Sequence, residues 1–215
     1  MVQYICFTDP SSEEMDKKLK DLSRCPGTCF FIDIINSTDI KYKTNVSEWG
    51  RKLNNTFNFI SFLNDFPDNV VKGIGDELMI YIPDEDLKAK TTYNNYFALL
   101  NEIFATLDNI KNYPLEDVFL QCKVSIHYCT EVYNISFFKG VNDYYGQDID
   151  LTARLMSKSK KSRIVLSEKF FTKVKNDVDN LGLRLEETDL KNISQKYIED
   201  FKGVPYPTEF RVLDV

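Results

Sequence analysis

The period of the apolar positions changes along the chain, and each change marks an element. Residues 1–27 are polar and mixed, with a short helical pattern around 12–23 that ends at Pro26-Gly27. An apolar run over 28–35 predicts a buried strand, and Asn36-Ser37-Thr38 supplies turn and capping chemistry after it. From Val46, apolar residues recur at Trp49, Leu53, Phe57, Ile60 and Leu63, the spacing of a helix with one buried face, until Phe66-Pro67-Asp68-Asn69 breaks it. Val70 to Lys72 and Leu78 to Ile82 read as two strands joined tightly through Gly73 and Gly75, and Pro83 stops the second. A helical pattern covers 85–111, with Leu87, Phe97, Leu100, Phe104 and Leu107 facing inward. Val118 to Cys129 alternates as a strand, and Val132 to Phe138 is expected to be its hairpin partner. A helix from Asp148, a strand from Arg163 to Leu166 and a helix from Glu168 to Val174 follow, and Thr208 to Leu213 forms a late strand. The order βαββαββα with further strands predicts an α+β sandwich, a ferredoxin-like βαββαβ core whose antiparallel sheet is flanked by helices.

Bulk properties narrow the class. With 215 residues, 43% of them hydrophobic and 13% aromatic, the chain fits one large globular domain with a substantial core. A net charge of −6 argues against a nucleic-acid polymer or an anionic membrane as partner, so any polyanion must meet a local basic pocket. The first residues lack a basic region followed by a long apolar run, and no stretch approaches the roughly 18 apolar residues of a spanning helix, so a cytoplasmic protein is expected. Five cysteines (6, 25, 29, 122 and 129) form an odd set with one histidine in the chain, and reduced thiols are expected rather than a zinc site.

The candidate chemistry sits in two acidic residues at the edges of apolar runs, Asp33 in Phe31-Ile32-Asp33-Ile34 and Asp76 in Gly73-Ile74-Gly75-Asp76. A carboxylate beside Phe, Ile and Met costs several kcal/mol unless a cation or hydrogen bonds compensate. If the two strands are neighbours, both carboxylates converge at one sheet edge. Hard oxygen ligands without His or Cys suit Mg²⁺ or Mn²⁺, and two such ions would activate an attacking hydroxyl and neutralise a transferring phosphoryl group. Ile35, Asn36, Ser37 and Thr38 would offer backbone N–H groups to the outer phosphates.

Six ordered motifs resemble those of class III nucleotidyl cyclases. Phe31 to Thr38 is similar to the first metal motif of that family and Lys72-Gly73-Ile74-Gly75-Asp76-Glu77 to the second. Lys123-Val124-Ser125-Ile126-His127-Tyr128 matches the strand usually written Arg-x-Gly-Ile-His-x-Gly, and Asp143 to Leu155 resembles the segment of base-recognition and transition-state residues. Arg163 to Ser167 and Phe201-Lys202-Gly203-Val204 fall where the family has its next strand and a late phosphate-binding Lys. The match runs from about 28 to 213, with residues 1–27 as an N-terminal extension and 28–215 as the catalytic domain. The resemblance implies a cyclase-type sandwich and a homodimer with composite active sites at its interface. One protomer would supply Asp33, Asp76 and the carbonyl of Ile34 for two metal ions, and Lys123 for phosphate. The other would supply Lys72 and Asp143 to the base, Arg154 to the developing charge and Lys202 to the β- and γ-phosphates of a nucleoside triphosphate. The reaction implied is attack of the ribose 3′-hydroxyl on the α-phosphorus, with release of pyrophosphate.

The chain departs from the pattern at three places. Lys123 replaces the usual Arg and loses a bidentate fork. Ser125 and Thr130 stand where Gly is common. Asp150 replaces an Asn that orients the ribose, and an ionised Asp only accepts hydrogen bonds. It would accept from a ribose hydroxyl or pair with Arg154. A donor Lys72 and an acceptor Asp143 suit adenine or cytosine directly and uracil with exchanged targets. With no sensor, membrane or coiled-coil region, the chain most resembles the stand-alone Pycsar cyclases, which make cyclic UMP or cyclic CMP in bacterial antiphage defence. An adenylate cyclase, a silent nucleotide-binding domain and an unrelated phosphohydrolase remain as alternatives. Tyr42, Trp49 and Tyr144 are candidates to fill space beside a small base, although core or interface positions explain each. The plain reading also makes His127 structural, Lys158-Ser159-Lys160-Lys161 a solvated loop, and Glu77 a residue turned away from Asp76 by strand alternation.

Overall fold

The computed structural model describes residues 3–4, 13–89, 93–112, 118–137 and 141–215. Its centre is a seven-stranded sheet in the order β3-β4-β2-β5-β8-β10-β9. The strands are β2 (Gly27–Ile34), β3 (Val70–Ile74), β4 (Glu77–Pro83), β5 (Cys122–Cys129), β8 (Arg163–Ser167), β9 (Tyr197–Glu199) and β10 (Thr208–Asp214). Every neighbouring pair is antiparallel except β5 and β8, which run parallel. The result is the expected α+β sandwich, its sheet mostly antiparallel and flanked by helices.

β2 is apolar at nearly every position because both faces of it are covered. Phe30, Ile32 and Ile34 belong to the large core, with Ile80, Ile82, Val124, Ile126, Ile164 and Leu166 from neighbouring strands. Helices α3 (Val46–Phe59), α6 (Tyr96–Asn112) and α8 (Glu168–Asn180) contribute Leu53, Phe57, Leu100, Ile103, Phe170 and Val174 to that core. The alternate residues Cys29 and Phe31 pack with Met79, Tyr81, Cys129 and Tyr144 on the other face. There the cover is α7 (Gln147–Leu155), which Ser125 meets by donating to the Thr152 carbonyl at 2.9 Å.

Several expectations change. The pattern over 85–111 divides into α5 (Asp84–Ala89) and α6, with 90–92 outside the described residues. The strand expected from Val118 begins at Cys122, and α8 runs six residues beyond Val174 to Asn180. The segment after β5 is not its hairpin partner. β6 (Tyr133–Ser136) pairs in parallel with β1 (Gln3–Tyr4) and antiparallel with β7 (Tyr144–Tyr145), forming a separate small sheet; the expected end at Phe138 lies outside the described residues. Alternation marks a strand but carries no information about which strand it pairs with, and β5 already has β2 and β8 on its two edges. Helices α1 (Glu13–Lys20), α2 (Ser37–Lys43) and α4 (Ser61–Asp65) complete the named elements.

The start of α7 is fixed by a buried carboxylate. Asp148 Oδ2 accepts from the N–H groups of Thr130 and Glu131 at 2.7 and 2.9 Å, tying the turn after β5 to the helix. Gly146 permits this approach, since a Cβ there would lie 2.0 Å from the Glu131 carbonyl oxygen. His127 Nε2 is 3.2 Å from Asp148 Oδ1, close enough for attraction, although neither ring nitrogen has a well-aligned hydrogen bond. Burial pushes the His127 imidazole below its ordinary value, and Asp148 opposes this only in part. The structural reading of the one histidine therefore fits its position.

A pH dependence follows from that burial. The native chain keeps His127 neutral, whereas the unfolded chain protonates it near the ordinary value of about 6.5. Native stability is thus fully present above that value and falls as pH drops below it, by up to about 1.4 kcal/mol per pH unit for one proton. Glu77, raised by burial, acts in the opposite sense at lower pH, so the imidazole itself is the cleaner readout. The single histidine Hε1 resonance should stay unshifted between pH 7.5 and about 6; titration at the ordinary midpoint would refute the assignment.

Candidate active site

Asp33, next to last in β2, stands directly opposite Glu77 of β4 and Lys123 of β5. Directly opposed residues share a face, so the three side chains form one row across the sheet. Lys123 Nζ lies 2.8 Å from Asp33 Oδ2. Alternation separates Glu77 from Asp76, but the register sets it beside Asp33. Burial raises the Glu77 carboxyl first and the Asp33 charge adds to it, while Lys123 lowers it.

Asp76 occupies the tight turn between β3 and β4, where Gly75 takes the positive φ of 69° that such a turn requires. Its carboxylate accepts from Lys41 Nζ at 3.2 Å and from Ser37. Burial alone would raise the Asp76 carboxyl, but these hydrogen bonds and the Lys41 charge outweigh it and hold the group below its usual value. Both aspartates therefore already carry a lysine counter-ion.

The two aspartates share one open cleft of about 560 Å³, lined also by Ile34, Ile35, Asn36, Ser37, Thr38, Asp39 and Lys123. The expected convergence at one sheet edge is thus present, because β2 and β4 are neighbours. Ile35 differs from expectation in one respect. Its N–H donates to the Gln121 carbonyl at 2.9 Å, extending the β2–β5 ladder, and is not available to a phosphate. Among the described residues the N–H groups of Asn36, Ser37 and Thr38 have no such acceptor. Asn36 takes a left-handed φ of 56° at this corner and does not cap α2 with its side chain.

Ser159, Lys160 and Lys161 line the same cleft. The sequence marks their run only as a solvated loop, and the two lysines are indeed exposed. What composition does not reveal is the sheet pairing that carries the loop to the cleft.

Lys72 and Asp143, which are 71 positions apart, form an ion pair. Lys72 Nζ donates to both carboxylate oxygens at 2.9 and 2.8 Å. Asp143 is 6% exposed and also accepts from the Tyr144 N–H at 2.8 Å. Lys72 Nζ further lies 5.3 Å from the centre of the Tyr145 ring. Asp150 and Arg154 are both exposed on α7, one turn apart, and no ion pair joins them among the described residues. Lys202 is exposed in the turn between β9 and β10, at the opposite edge of the sheet from β3. None of Lys72, Asp143, Asp150, Arg154 and Lys202 lines the cleft that holds Asp33 and Asp76.

Of the aromatic candidates, Tyr144 is buried and stacks on Tyr81 at 4.2 Å between ring centres. Trp49 meets Lys41 Nζ at 5.6 Å from its ring, and Tyr42 is 87% exposed. One other group of metal-type ligands exists among the described residues. His127, Cys129 and Asp148 place ligand atoms within 4.8 Å of one another. All three are buried, Asp148 Oδ2 is engaged by two N–H groups, and its Oδ1 lies 3.2 Å from His127 Nε2 and 3.7 Å from Lys169 Nζ, so both carboxylate oxygens already have partners.

No helix among the described residues is long and apolar enough to cross a membrane. Comparison with curated protein sequences finds no match. The fold, however, is shared with solved cyclase structures. The guanylyl cyclase Cya2 is 15% identical, with 89% of this chain and 93% of that one covered at a TM-score of 0.67. The adenylyl cyclase CyaB from P. aeruginosa is 20% identical, covering 91% and 97% at 0.64. A non-canonical dimeric guanylyl cyclase domain of the RhoGC fusion protein from the aquatic fungus Blastocladiella emersonii is 17% identical, covering 88% and 97% at 0.60. The family model described as the adenylate and guanylate cyclase catalytic domain matches residues 25–197, and by that match this chain belongs to the class III nucleotide cyclases.

Proposed function

We propose that the chain is a nucleotide cyclase converting a pyrimidine ribonucleoside triphosphate, UTP or CTP, to its 3′,5′-cyclic monophosphate and pyrophosphate. Its biological setting in this reading is second-messenger synthesis in bacterial antiphage defence. The observation that supports a composite site is the partition of the motif residues. Asp33, Asp76, Ile34 to Thr38 and Lys123 occupy one cleft, while Lys72, Asp143, Asp150, Arg154 and Lys202 lie outside it. A second copy of the chain, presenting its α7 and its Lys72–Asp143 pair to that cleft, completes the site in a homodimer.

The donor set fits two hard divalent ions. The cleft lining contains carboxylate and carbonyl oxygens and neither His nor Cys, the preference of Mg²⁺ or Mn²⁺. Asp33, Asp76 and the Ile34 carbonyl would hold them, and bound ions would lower the pKa of the ribose 3′-hydroxyl and neutralise phosphoryl charge. Lys123, released from Asp33, then turns its charge to the phosphates, as a point charge where the family uses a fork. The N–H groups of Asn36, Ser37 and Thr38 face the same groups. From the second copy, Arg154 meets the charge developing at the α-phosphorus, Lys202 takes the outer phosphates, and Lys72 with Asp143 reads the base edge. Asp150 accepts from a ribose hydroxyl, the one bond an ionised carboxylate can make there.

Incubation with each ribonucleoside triphosphate and Mn²⁺, with products resolved by mass, tests the chemistry and the base together. Cyclic UMP or cyclic CMP should dominate. Dominant cyclic AMP would overturn the pyrimidine assignment, free phosphate or monophosphate would indicate a phosphohydrolase, and no turnover by a demonstrated dimer would indicate a silent domain.

The composite arrangement has its own test. Asp33→Ala and Arg154→Ala should each lower kcat at least about 10³-fold. Mixed in equal amounts and allowed to exchange subunits, they should recover about one quarter of wild-type activity, since half the dimers then hold one intact site of two. Absence of recovery in proven heterodimers would exclude a shared site.

A further inference from the structure

We infer that the turn from Ser159 to Ser162 is a second phosphate clamp of the cleft, with Lys160 and Lys161 holding the terminal phosphates of the substrate and the pyrophosphate product. The inference deepens the cyclase reading and rests on it for the identity of the substrate.

Sheet topology brings the turn to the site. β8 runs parallel to β5, pairing Val124 with Ile164, so the start of β8 lies at the same end of the sheet as Cys122 and Lys123. β2 is antiparallel to β5 and delivers Asp33 and Ile34 to that same end. The chain entering β8 is therefore obliged to pass the metal end of the cleft, and Ser159, Lys160 and Lys161 line it.

The turn is built as an anchored platform. Ser159 and Ser162 are 8% and 7% exposed, while the two lysines between them are exposed. The Ser159 hydroxyl donates to the Arg163 carbonyl at 2.7 Å, and the Ser162 hydroxyl donates to Gln121 Oε1 at 3.3 Å. The Ser162 N–H donates to the Cys122 carbonyl at 3.1 Å, and its own carbonyl accepts from the Val215 N–H at 2.9 Å. Ser162 holds a left-handed φ of 53°, a conformation that costs energy in a residue with a Cβ and persists where such bonds enforce it. A merely solvated run of charge has no use for two buried serine anchors.

Charge separates these lysines from their neighbours. Lys123, Lys41, Lys43 and Lys52 are each paired, to Asp33, Asp76, Asp39 and Glu48 respectively, and Lys158 is paired to Glu199. Lys160 and Lys161 have no carboxylate partner among the described residues. Asp33, Asp39 and Asp76 of the lining are already matched by Lys123, Lys43 and Lys41, so Lys160 and Lys161 add two positive charges that no carboxylate among the described residues cancels. Lys161 also lines an adjoining groove of about 460 Å³ with Asn36, Lys43 and Lys52.

Inorganic tripolyphosphate in the presence of Mn²⁺ is the direct probe, because it carries the phosphates and lacks base and ribose. The Lys160→Ala/Lys161→Ala variant should raise its Kd about tenfold, and the Ki of pyrophosphate and the KM of the triphosphate by a similar factor, with kcat changed less than about twofold. Lys160→Arg/Lys161→Arg should restore the values, and binding of the 3′,5′-cyclic product should be unaffected. The wild-type affinity should also fall more steeply with added salt than that of the alanine variant. Unchanged tripolyphosphate binding in a folded double-alanine variant would overturn the clamp while leaving cyclase activity standing. Lysine-dependent tripolyphosphate binding without cyclisation of any nucleotide would uphold the clamp and overturn the cyclase reading.

Discussion

Burial of β2 on both faces is the constraint from which the site follows. A strand sandwiched between a helical layer and α7 tolerates apolar side chains alone, and from Cys29 to Ile32 it has nothing else. A carboxylate becomes tolerable only where one cover ends. That point is Asp33, where the face carrying Cys29 and Phe31 emerges from beneath α7 and Lys123 stands across the ladder. Asp76 is placed by a different device, a two-residue turn whose first position is glycine. Because β4 is the immediate neighbour of β2, the turn delivers Asp76 to the same end of the sheet. Two local rules, one of burial and one of turn geometry, thus bring the paired carboxylates to one end of the sheet.

The lysines on these carboxylates offset the cost of placing two acids at one end of the sheet. Two aspartates held near one another among apolar strands would repel and lose solvation together. Lys123 and Lys41 remove that cost, Lys41 lowering the Asp76 carboxyl along with Ser37. In the proposed reading the same pairs set the cost of metal binding, since each ion would displace an ammonium group from Asp33 or Asp76. The displaced Lys123 would stay in the cleft, where it could meet a polyphosphate. Metal binding and phosphate binding are therefore coupled, and each should favour the other.

The sequence reveals the strands and both aspartates because each leaves a local signal, an acid at the margin of an apolar run or next to a turn glycine. It does not reveal the Lys72–Asp143 pair through spacing, since 71 residues separate them and only the family resemblance joins them. Register is the second limit. Alternation separates Asp76 from Glu77 correctly, yet Glu77 matters through Asp33, a residue of another strand. The misassigned partner of β5 has the same origin, because a period of two states that a segment is extended without stating its neighbour. Lys160 and Lys161 were hidden by composition, as a charged run reads as solvated unless the parallel β5–β8 pairing is known.

The fold cannot choose the base, since guanylyl and adenylyl cyclases share it with this chain at 15% and 20% identity. In the proposed reading the choice falls to Lys72 and Asp143, groups already committed to one another. Lys72 spends two donors on Asp143, leaving one N–H, and Asp143 retains lone pairs while accepting from Lys72 and the Tyr144 N–H. The pair therefore offers one donor and one acceptor held at a fixed separation, and need not break to read a base. That separation suits two adjacent groups on one ring edge, which adenine and cytosine present in one order and uracil in the other. Discrimination between a one-ring and a two-ring base must then rest on volume. Tyr144 is already committed to its stack on Tyr81, so turning it to fill space beside a base would cost that stack. Tyr145, whose ring centre lies 5.3 Å from Lys72 Nζ, is the aromatic side chain beside the pair that the proposed function assigns to the base.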